Sequence, residues 1–288
     1  MSDIPRNTFT DGPLGATYAR TAGPLIFVMG MNGLLSVTDA LFLGRYVGPD
    51  ALAAVTMMFP AYMVIVASAT LTGSGMSSVL ARHLGRGDGP SARQVFASAH
   101  GLAAAIGGLL ILAFLLVGPA AALATAGGDA ALADMGLGYM RLLVLAAPLT
   151  FLLSVHSDAL RNEGRAGFMA AMSLLVSLAN IGFNYLLIAG LEMGVAGSAY
   201  GTAAAQGVAL ALLIGFRITA DTPLPLSSLL RHRWWGDWRD MLSLGAPQSL
   251  SFLGLALVSS MTIAAAQMAN LPNYGATIAA YGIITRIM

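Results

Sequence analysis

The sequence contains neither cysteine nor lysine, and only 9% of its 288 residues are charged. A soluble domain carries about 25% charged residues, so this composition excludes an ordinary soluble protein. Without cysteine, the chain has no disulfide, no thiolate metal ligand and no cysteine nucleophile. Phosphate-binding loops, nucleophile elbows and zinc motifs are also missing. We therefore expect that the chain is not an enzyme and that it holds no metal or organic cofactor.

Hydrophobic residues make up 57% of the chain and gather in long neutral tracts. A helix needs about 20 apolar residues to span a bilayer, and glycine- and proline-rich breaks divide the tracts into segments of that size. The predicted helices are 18–46, 51–80, 94–117, 133–156, 167–190, 195–216 and 243–269, with an eighth starting near Gly275. The predicted fold is therefore all-α and polytopic, with the lipid bilayer as its surroundings.

The distribution of the 14 basic residues, all of them arginine, predicts the orientation of the chain in its membrane. Eleven fall in one set of alternate loops: Arg6, Arg20, Arg82, Arg86, Arg93, Arg161, Arg165, Arg217, Arg231, Arg233 and Arg239. Because arginine is enriched in cytoplasmic loops, we predict a multi-pass protein of the cell (inner) membrane with a cytoplasmic N-terminus. The segment before the first span holds acidic and proline residues and lacks the features of a cleaved signal.

The longest polar connection, 217–242, mixes arginines with all three tryptophans of the chain. This composition predicts a connector in the cytoplasmic headgroup layer between two lobes, and a lipid-regulatory role is the alternative. After it, Ala246-Pro247 echoes Gly23-Pro24 of the first span, as in transporters built from two related bundles. The predicted division is an amino-terminal six-helix lobe (1–216), the connector (217–242) and an incomplete carboxy-terminal lobe (243–288).

Asp39 is the one acidic residue that the predicted spans place clearly inside the membrane. A carboxylate there costs several kcal/mol and marks a functional site by default. Counted from Leu25, Asp39 lies about 21 Å into a hydrocarbon core about 30 Å thick. The alternative is an aspartate at the outer edge of the span, because Gly44 and Arg45 follow soon after. We interpret Asp39 as a functional carboxylate.

The fifth predicted span carries a polar stripe. Its members recur at intervals of three or four residues and so share one helix face: Ser173, Ser177, Asn180 and Asn184. Asn180 and Asn184 fall at about the depth of Asp39. Interhelical hydrogen bonding is the alternative to a role in a site.

Two further spans contribute polar residues at the same depth. Thr202 and Gln206 share a face of the sixth span, and Tyr139 lies near the outer end of the fourth. Helix packing is the alternative for the first two residues, and an interfacial position is the alternative for Tyr139. Methionines such as Met172 add deformable thioethers that suit varied apolar substrates, although membrane packing also explains them.

Six segments, in order along the chain, resemble the motifs of one family. They are Pro24 with Thr38-Asp39-Ala-Leu-Phe-Leu-Gly44, Ala51-Leu-Ala-Ala54, Ala81-Arg82-His83-Leu84-Gly85-Arg86-Gly87-Asp88, Leu160-Arg161-Asn162-Glu163-Gly164-Arg165, Asn180-Ile-Gly-Phe-Asn184-Tyr185 and Gly194-Val-Ala-Gly197-Ser-Ala199. Over essentially its whole length the chain resembles the multidrug and toxic compound extrusion (MATE) transporters of prokaryotic type. The resemblance implies one lobe and part of the second of a two-lobe antiporter, which exports small organic, mainly cationic, substrates in exchange for H⁺ or Na⁺ and has no nucleic-acid partner.

The resemblance also implies roles for individual residues. Asp39 matches the family's ion-coupling carboxylate, and its polar partners match Asn180, Asn184 and Thr202. The expected substrate cavity includes Tyr139, Ser177, Gln206 and Met172. Asn184 is neutral where some members carry an acid, and Leu255 stands where many carry glutamate, so coupling would depend on Asp39.

Two other functions remain open from the sequence. The first is a lipid-linked oligosaccharide flippase of the same superfamily, which a scarcity of intramembrane arginine disfavours. The second is an inactive half-length subunit, since the predicted second lobe is missing beyond its first one to two helices.

Overall fold

The computed structural model describes residues 14–269 and 273–287. Residues 1–13, 270–272 and 288 lie outside the described part of the chain. The described chain is helical: α1 (Leu14–Phe42) continues as a π-helical turn (Leu43–Val47), followed by α2 (Pro49–Met57), α3 (Phe59–Gly85), α4 (Gly89–Thr125), α5 (Ala130–Asn162), α6 (Ala166–Asn184) with a second π-helical turn (Tyr185–Gly190), α7 (Gly194–Thr219), α8 (Ser228–Arg231), α9 (Trp238–Met268) and α10 (Tyr274–Ile287). Seven helices in this part of the chain are long and apolar enough to cross a membrane. The predicted all-α polytopic fold is confirmed.

Several helix bounds differ from the prediction. The predicted second span is interrupted at Met58, because Pro60, in the first turn of α3, has no N–H to continue the hydrogen bonds of α2. The fourth span does not end at residue 156 but runs to Asn162, so Asp158 lies inside it. The sixth span runs to Thr219 and buries Arg217, which the sequence had placed in a loop.

Aspartates begin two of the long helices. The Asp88 carboxylate accepts a hydrogen bond from the Ser91 N–H at 3.1 Å, and Asp129 accepts from the N–H groups of Ala131 and Leu132. These bonds satisfy amide groups that have no partner inside a helix. The Ser91 side chain and N–H also hold the pKa of Asp88 below its ordinary value.

Helix α9 packs mainly against α3, through glycines on both helices. A Cβ on Gly75 would lie 2.1 Å from the Met241 carbonyl oxygen, and one on Gly245 would lie 2.3 Å from the Leu71 carbonyl oxygen. The two backbones are therefore in direct contact, as at helix crossings built from small residues.

Gly75→Ala is expected to force α3 and α9 apart. The added methyl group meets backbone atoms that cannot move independently, so the free energy of unfolding should fall by about 1–3 kcal/mol. Gly108→Ala is the matched control, because no atom lies within 4 Å of a Cβ at that position. Thermal melts of the two purified variants test the prediction, and equal melting temperatures would contradict it.

Candidate functional site

A cavity of about 610 Å³ opens between α1, α3, α5, α6 and α7. Its wall includes seven of the eight residues selected from the sequence: Asp39, Tyr139, Met172, Ser177, Asn180, Thr202 and Gln206. Asn184, the eighth, is fully buried directly behind this wall. Four helices, α1, α5, α6 and α7, thus bring together selected residues that are up to 167 positions apart in the sequence.

A continuous chain of hydrogen bonds joins the residues at one end of the cavity. The Asn184 side-chain amide donates to a carboxylate oxygen of Asp39 and to Oδ1 of Asn180 at 2.9 Å. The Asn180 amide in turn donates to the Thr202 hydroxyl oxygen at 3.1 Å. Asn180 and Asn184 are both buried. The chain fixes the Asp39 carboxylate against α6 and connects it to α7.

Asn184 also presents an unused acceptor. Its Oδ1 is buried and receives no hydrogen bond, and it lies so close to Gly201 that a Cβ there would be only 2.1 Å away. Gly201 therefore allows α7 to approach the amide. Carboxylate, amide and hydroxyl oxygens concentrate at this point. The carboxylate can bind a proton, and the three kinds of oxygen together can bind a hard cation such as Na⁺.

Both helices that carry Asp39 and Asn184 change to π-helical geometry immediately beyond the site. Leu43 and Ile188, one from each π-helical turn, pack together with Val55 and Val195 in a separate buried cluster. π-Helical turns widen the backbone locally and are frequent at functional sites. The apolar cluster closes the bundle next to the polar chain.

The remaining predicted residues occupy the cavity wall with different surroundings. The Gln206 side-chain oxygen accepts a hydrogen bond from the Thr150 hydroxyl at 2.8 Å, which joins α7 to α5. Ser177 is buried, whereas Tyr139 and Met172 are half-buried. Arg141 of α5 is exposed and forms no ion pair within the described residues.

The other end of the cavity holds an ion pair that the sequence reasoning missed. Asp158 and Arg161 line the cavity and are joined by a hydrogen bond between guanidinium and carboxylate. Gly73 of α3 packs directly against Asp158, because a Cβ there would lie 2.3 Å from a carboxylate oxygen. The prediction that Asp39 is the one acid clearly inside a span is therefore wrong, because Asp158 also lies inside a membrane-spanning helix. The spacing of three residues between Asp158 and Arg161 was the available signal, but the predicted helix ended too early.

Two buried pairs lie beside the connector rather than in the cavity. The Arg217 guanidinium donates to the Glu163 carboxylate at 2.9 Å, and neither side chain is exposed to solvent (0% each). His100 of α4 and His156 of α5 meet through their Nε2 atoms at 3.3 Å. The residues that the structure describes include no cluster of three or more potential metal ligands.

The fold and the cavity define a polytopic α-helical membrane protein whose spans enclose a cavity lined by polar and ionisable residues. A family model described as MatE matches residues 24–186, which is more than half of the chain. The chain belongs to the MATE family, which is a family of transporters and not of enzymes.

Named relatives and solved structures agree with this assignment. The chain is 26% identical over 296 aligned residues to the FAD transporter of Shewanella oneidensis, covering 98% of this chain and 62% of that protein. It is 24% identical over 228 residues to the multidrug export protein MepA of Staphylococcus aureus (strain NCTC 8325 / PS 47), covering 77% of this chain and 49% of MepA. The structure of the MATE multidrug transporter DinF-BH in complex with R6G matches all of this chain and 63% of its own, with a TM-score of 0.86 and 25% identity. The chain therefore spans about three fifths or less of the length of these proteins.

Proposed function

We propose that the protein exports small organic compounds in exchange for H⁺ or Na⁺, with Asp39 as the ion-coupling carboxylate. The observation that carries this proposal is the hydrogen-bonded chain of Asp39, Asn184, Asn180 and Thr202 at the wall of a drug-sized cavity. An ionisable residue inside a membrane span is expensive to maintain and is typical of ion pathways in transporters.

Coupling follows from the placement of ion and substrate sites in one cavity. Protonation of Asp39, or Na⁺ bound by Asp39 with the oxygens of Asn180 and Thr202, neutralises the carboxylate and changes its hydrogen bonds. A cationic substrate in the same cavity then loses its attraction to Asp39. Since Asn184 is neutral, one H⁺ or one Na⁺ per cycle is sufficient to neutralise this end of the cavity.

The cavity suits flexible recognition of apolar and aromatic compounds. Its wall includes the thioethers of Met63, Met169 and Met172 and the aromatic rings of Phe59 and Tyr62, and methionine adapts to differently shaped ligands. The names of MepA and of the R6G complex support drugs and organic cations as substrates. Because these relatives are longer, we propose that a second lobe completes the cavity.

A nucleotide cofactor is the second candidate substrate. The FAD transporter aligns with almost the whole chain, and the Arg161 guanidinium on the cavity wall offers a donor for phosphate. The same assay can compare this substrate class with organic cations.

The orientation in the membrane is also a proposal. The exposed residues Arg82, Arg86 and Arg93 lie at the end of the bundle that carries the connector. Arginine favours cytoplasmic loops, which supports a cytoplasmic connector and N-terminus in the cell (inner) membrane.

Retention of rhodamine 6G by cells that lack other efflux pumps tests the proposed function. Cells that produce the full chain are expected to retain severalfold less dye than control cells. Collapsing the coupling gradient, either H⁺ or Na⁺, should restore retention, while collapsing the other should not. Parallel measurements with FAD distinguish the second substrate class. Equal retention with and without the chain, at a verified membrane level of the protein, would refute export by this chain.

A further inference from the structure

The connector between α7 and α9 is fixed to the side of α4 through its backbone. The Gln94 side-chain amide donates to the Arg233 carbonyl oxygen at 2.9 Å, and its oxygen accepts from the Arg233 N–H at 3.3 Å. The Trp238 indole N–H donates to the Ser98 carbonyl oxygen at 3.0 Å. These bonds use the connector's backbone and one indole, and they leave the arginine side chains free to face outward.

Helix α4 shows the depth at which the connector lies. From Ala104 to Leu123 this helix exposes an apolar face that includes Leu109, Leu115 and Leu116. That stretch is about 30 Å long, which matches the hydrocarbon core of a bilayer. The preceding residues, 95–103, are all buried. A helix that is buried on every side must be covered on its outer face as well.

The connector provides this cover. The Trp234 carbonyl oxygen lies so close to Gly101 that a Cβ there would be 2.0 Å away. Gly101 precedes the first lipid-exposed residue, Ala104, by three positions, or about 5 Å along the helix. Trp234 and its neighbours therefore lie just outside the hydrocarbon boundary, in the headgroup layer.

The outward side of the connector combines exposed apolar and cationic groups. Leu230 is 91% exposed and Trp235 is 70% exposed. Arg231, Arg233 and Arg239 are exposed, and none of them forms an ion pair with an acid within the described residues. Two further arginines reach the connector through its carbonyl oxygens: Arg93 donates to Pro223 and Arg165 donates to Asp221.

The electrostatic balance of this surface is positive. Five positive charges lie in or against the connector and the start of α9, on Arg93, Arg165, Arg231, Arg233 and Arg239. Only three negative charges lie in the same segment, on Asp221, Asp237 and Asp240. Tryptophan prefers the boundary between headgroups and acyl chains, and arginine binds phosphate through paired N–H groups.

We infer that the outward side of the connector, Leu230 to Trp235, is a binding surface for anionic phospholipid headgroups of the cytoplasmic leaflet. Leu230 and Trp235 enter the acyl boundary, and Arg231 and Arg233 bind the lipid phosphates. Because Trp238 begins α9, a lipid held here fixes the start of that helix relative to α4. This binding does not depend on the substrate or coupling ion of the transporter.

The three tryptophans of the chain all lie in this region, so intrinsic fluorescence reports on it directly. The full chain is placed in two nanodisc preparations that both contain about 30% phosphatidylglycerol in phosphatidylcholine, a fraction at which surface charge attracts basic segments. Bromine is carried by the phosphatidylglycerol in one preparation and by an equal amount of phosphatidylcholine in the other. Brominated phosphatidylglycerol is expected to quench the tryptophans at least about twofold more strongly.

Paired variants identify the residues responsible. Arg231→Gln with Arg233→Gln should remove the excess quenching. Arg82→Gln with Arg86→Gln, which alters two exposed arginines at the end of α3, should keep it. Equal quenching by the two brominated lipids would overturn the proposal, as would an excess that persists in the first variant. Tryptophans that acrylamide quenches and neither lipid quenches would place the connector in water, away from the bilayer, and would also overturn the proposal.

Discussion

Asp39→Asn is expected to lower rhodamine 6G export by about tenfold or more, the range of typical coupling between two ligands of one protein. The substituted amide has nearly the same shape, and its oxygen still accepts the hydrogen bond from Asn184. It cannot be protonated or carry a negative charge in the physiological range. The fold and membrane level should therefore remain unchanged while ion coupling is lost.

Two control variants make this result specific. Asp39→Glu keeps the charge and should retain part of the export activity. Asp134→Asn removes an exposed carboxylate of α5 outside the cavity and should have no effect. Initial export rates at matched protein levels give the comparison. If the wild-type chain exports the dye and Asp39→Asn exports it equally well, Asp39 has no role in the mechanism.

Arg217→Met is expected to lower the free energy of unfolding by about 3–5 kcal/mol, the usual cost of leaving a buried charge without its partner. Arg217 donates to Glu163 and, at 2.9 Å, to the Leu224 carbonyl oxygen. Its guanidinium also lies over the Phe96 ring, 4.9 Å from the ring centre. Methionine fills similar volume but leaves the Glu163 carboxylate in an apolar environment.

The double variant Arg217→Met with Glu163→Met should recover much of the loss, because an apolar pair of similar volume avoids the buried charge. Arg93→Met is the exposed control and should change little. Burial raises the pKa of Glu163. A group whose pKa is higher in the folded state contributes less stability as the pH rises. The free energy of unfolding of Arg217→Met should therefore fall further below that of the wild type at about pH 8 than at about pH 5. Thermal melts test both effects, and a double variant as unstable as the single one would contradict the explanation.

Much of the candidate site could be predicted because each member lies in a clear helical pattern. The intervals between Ser177, Asn180 and Asn184 placed them on one face, and the rise of 1.5 Å per residue placed them at the depth of Asp39. In the structure, seven of the eight selected residues line one cavity, and Asn184 lies behind its wall. Their roles in coupling and substrate binding remain predictions.

Other features could not be read from such patterns. The Asp158–Arg161 pair was missed because the end of α5 was placed six residues too early, and helix ends carry weaker signals than helix centres. The contacts of His100 with His156 and of Arg217 with Glu163 join residues 56 and 54 positions apart. Periodicity along one helix contains no information about which other helix it faces.

The sequence by itself determined that the protein is a bundle of membrane spans, and it determined which side chains share a face and a depth within each span. Apolar length and helical period are local properties, so they are legible in a single chain. Only the tertiary structure decided that the Asn184 amide bonds to Asp39, and that Asn180 reaches Thr202 on α7. Those contacts depend on how the helices are arranged around the cavity. The packing of the whole bundle determines that arrangement.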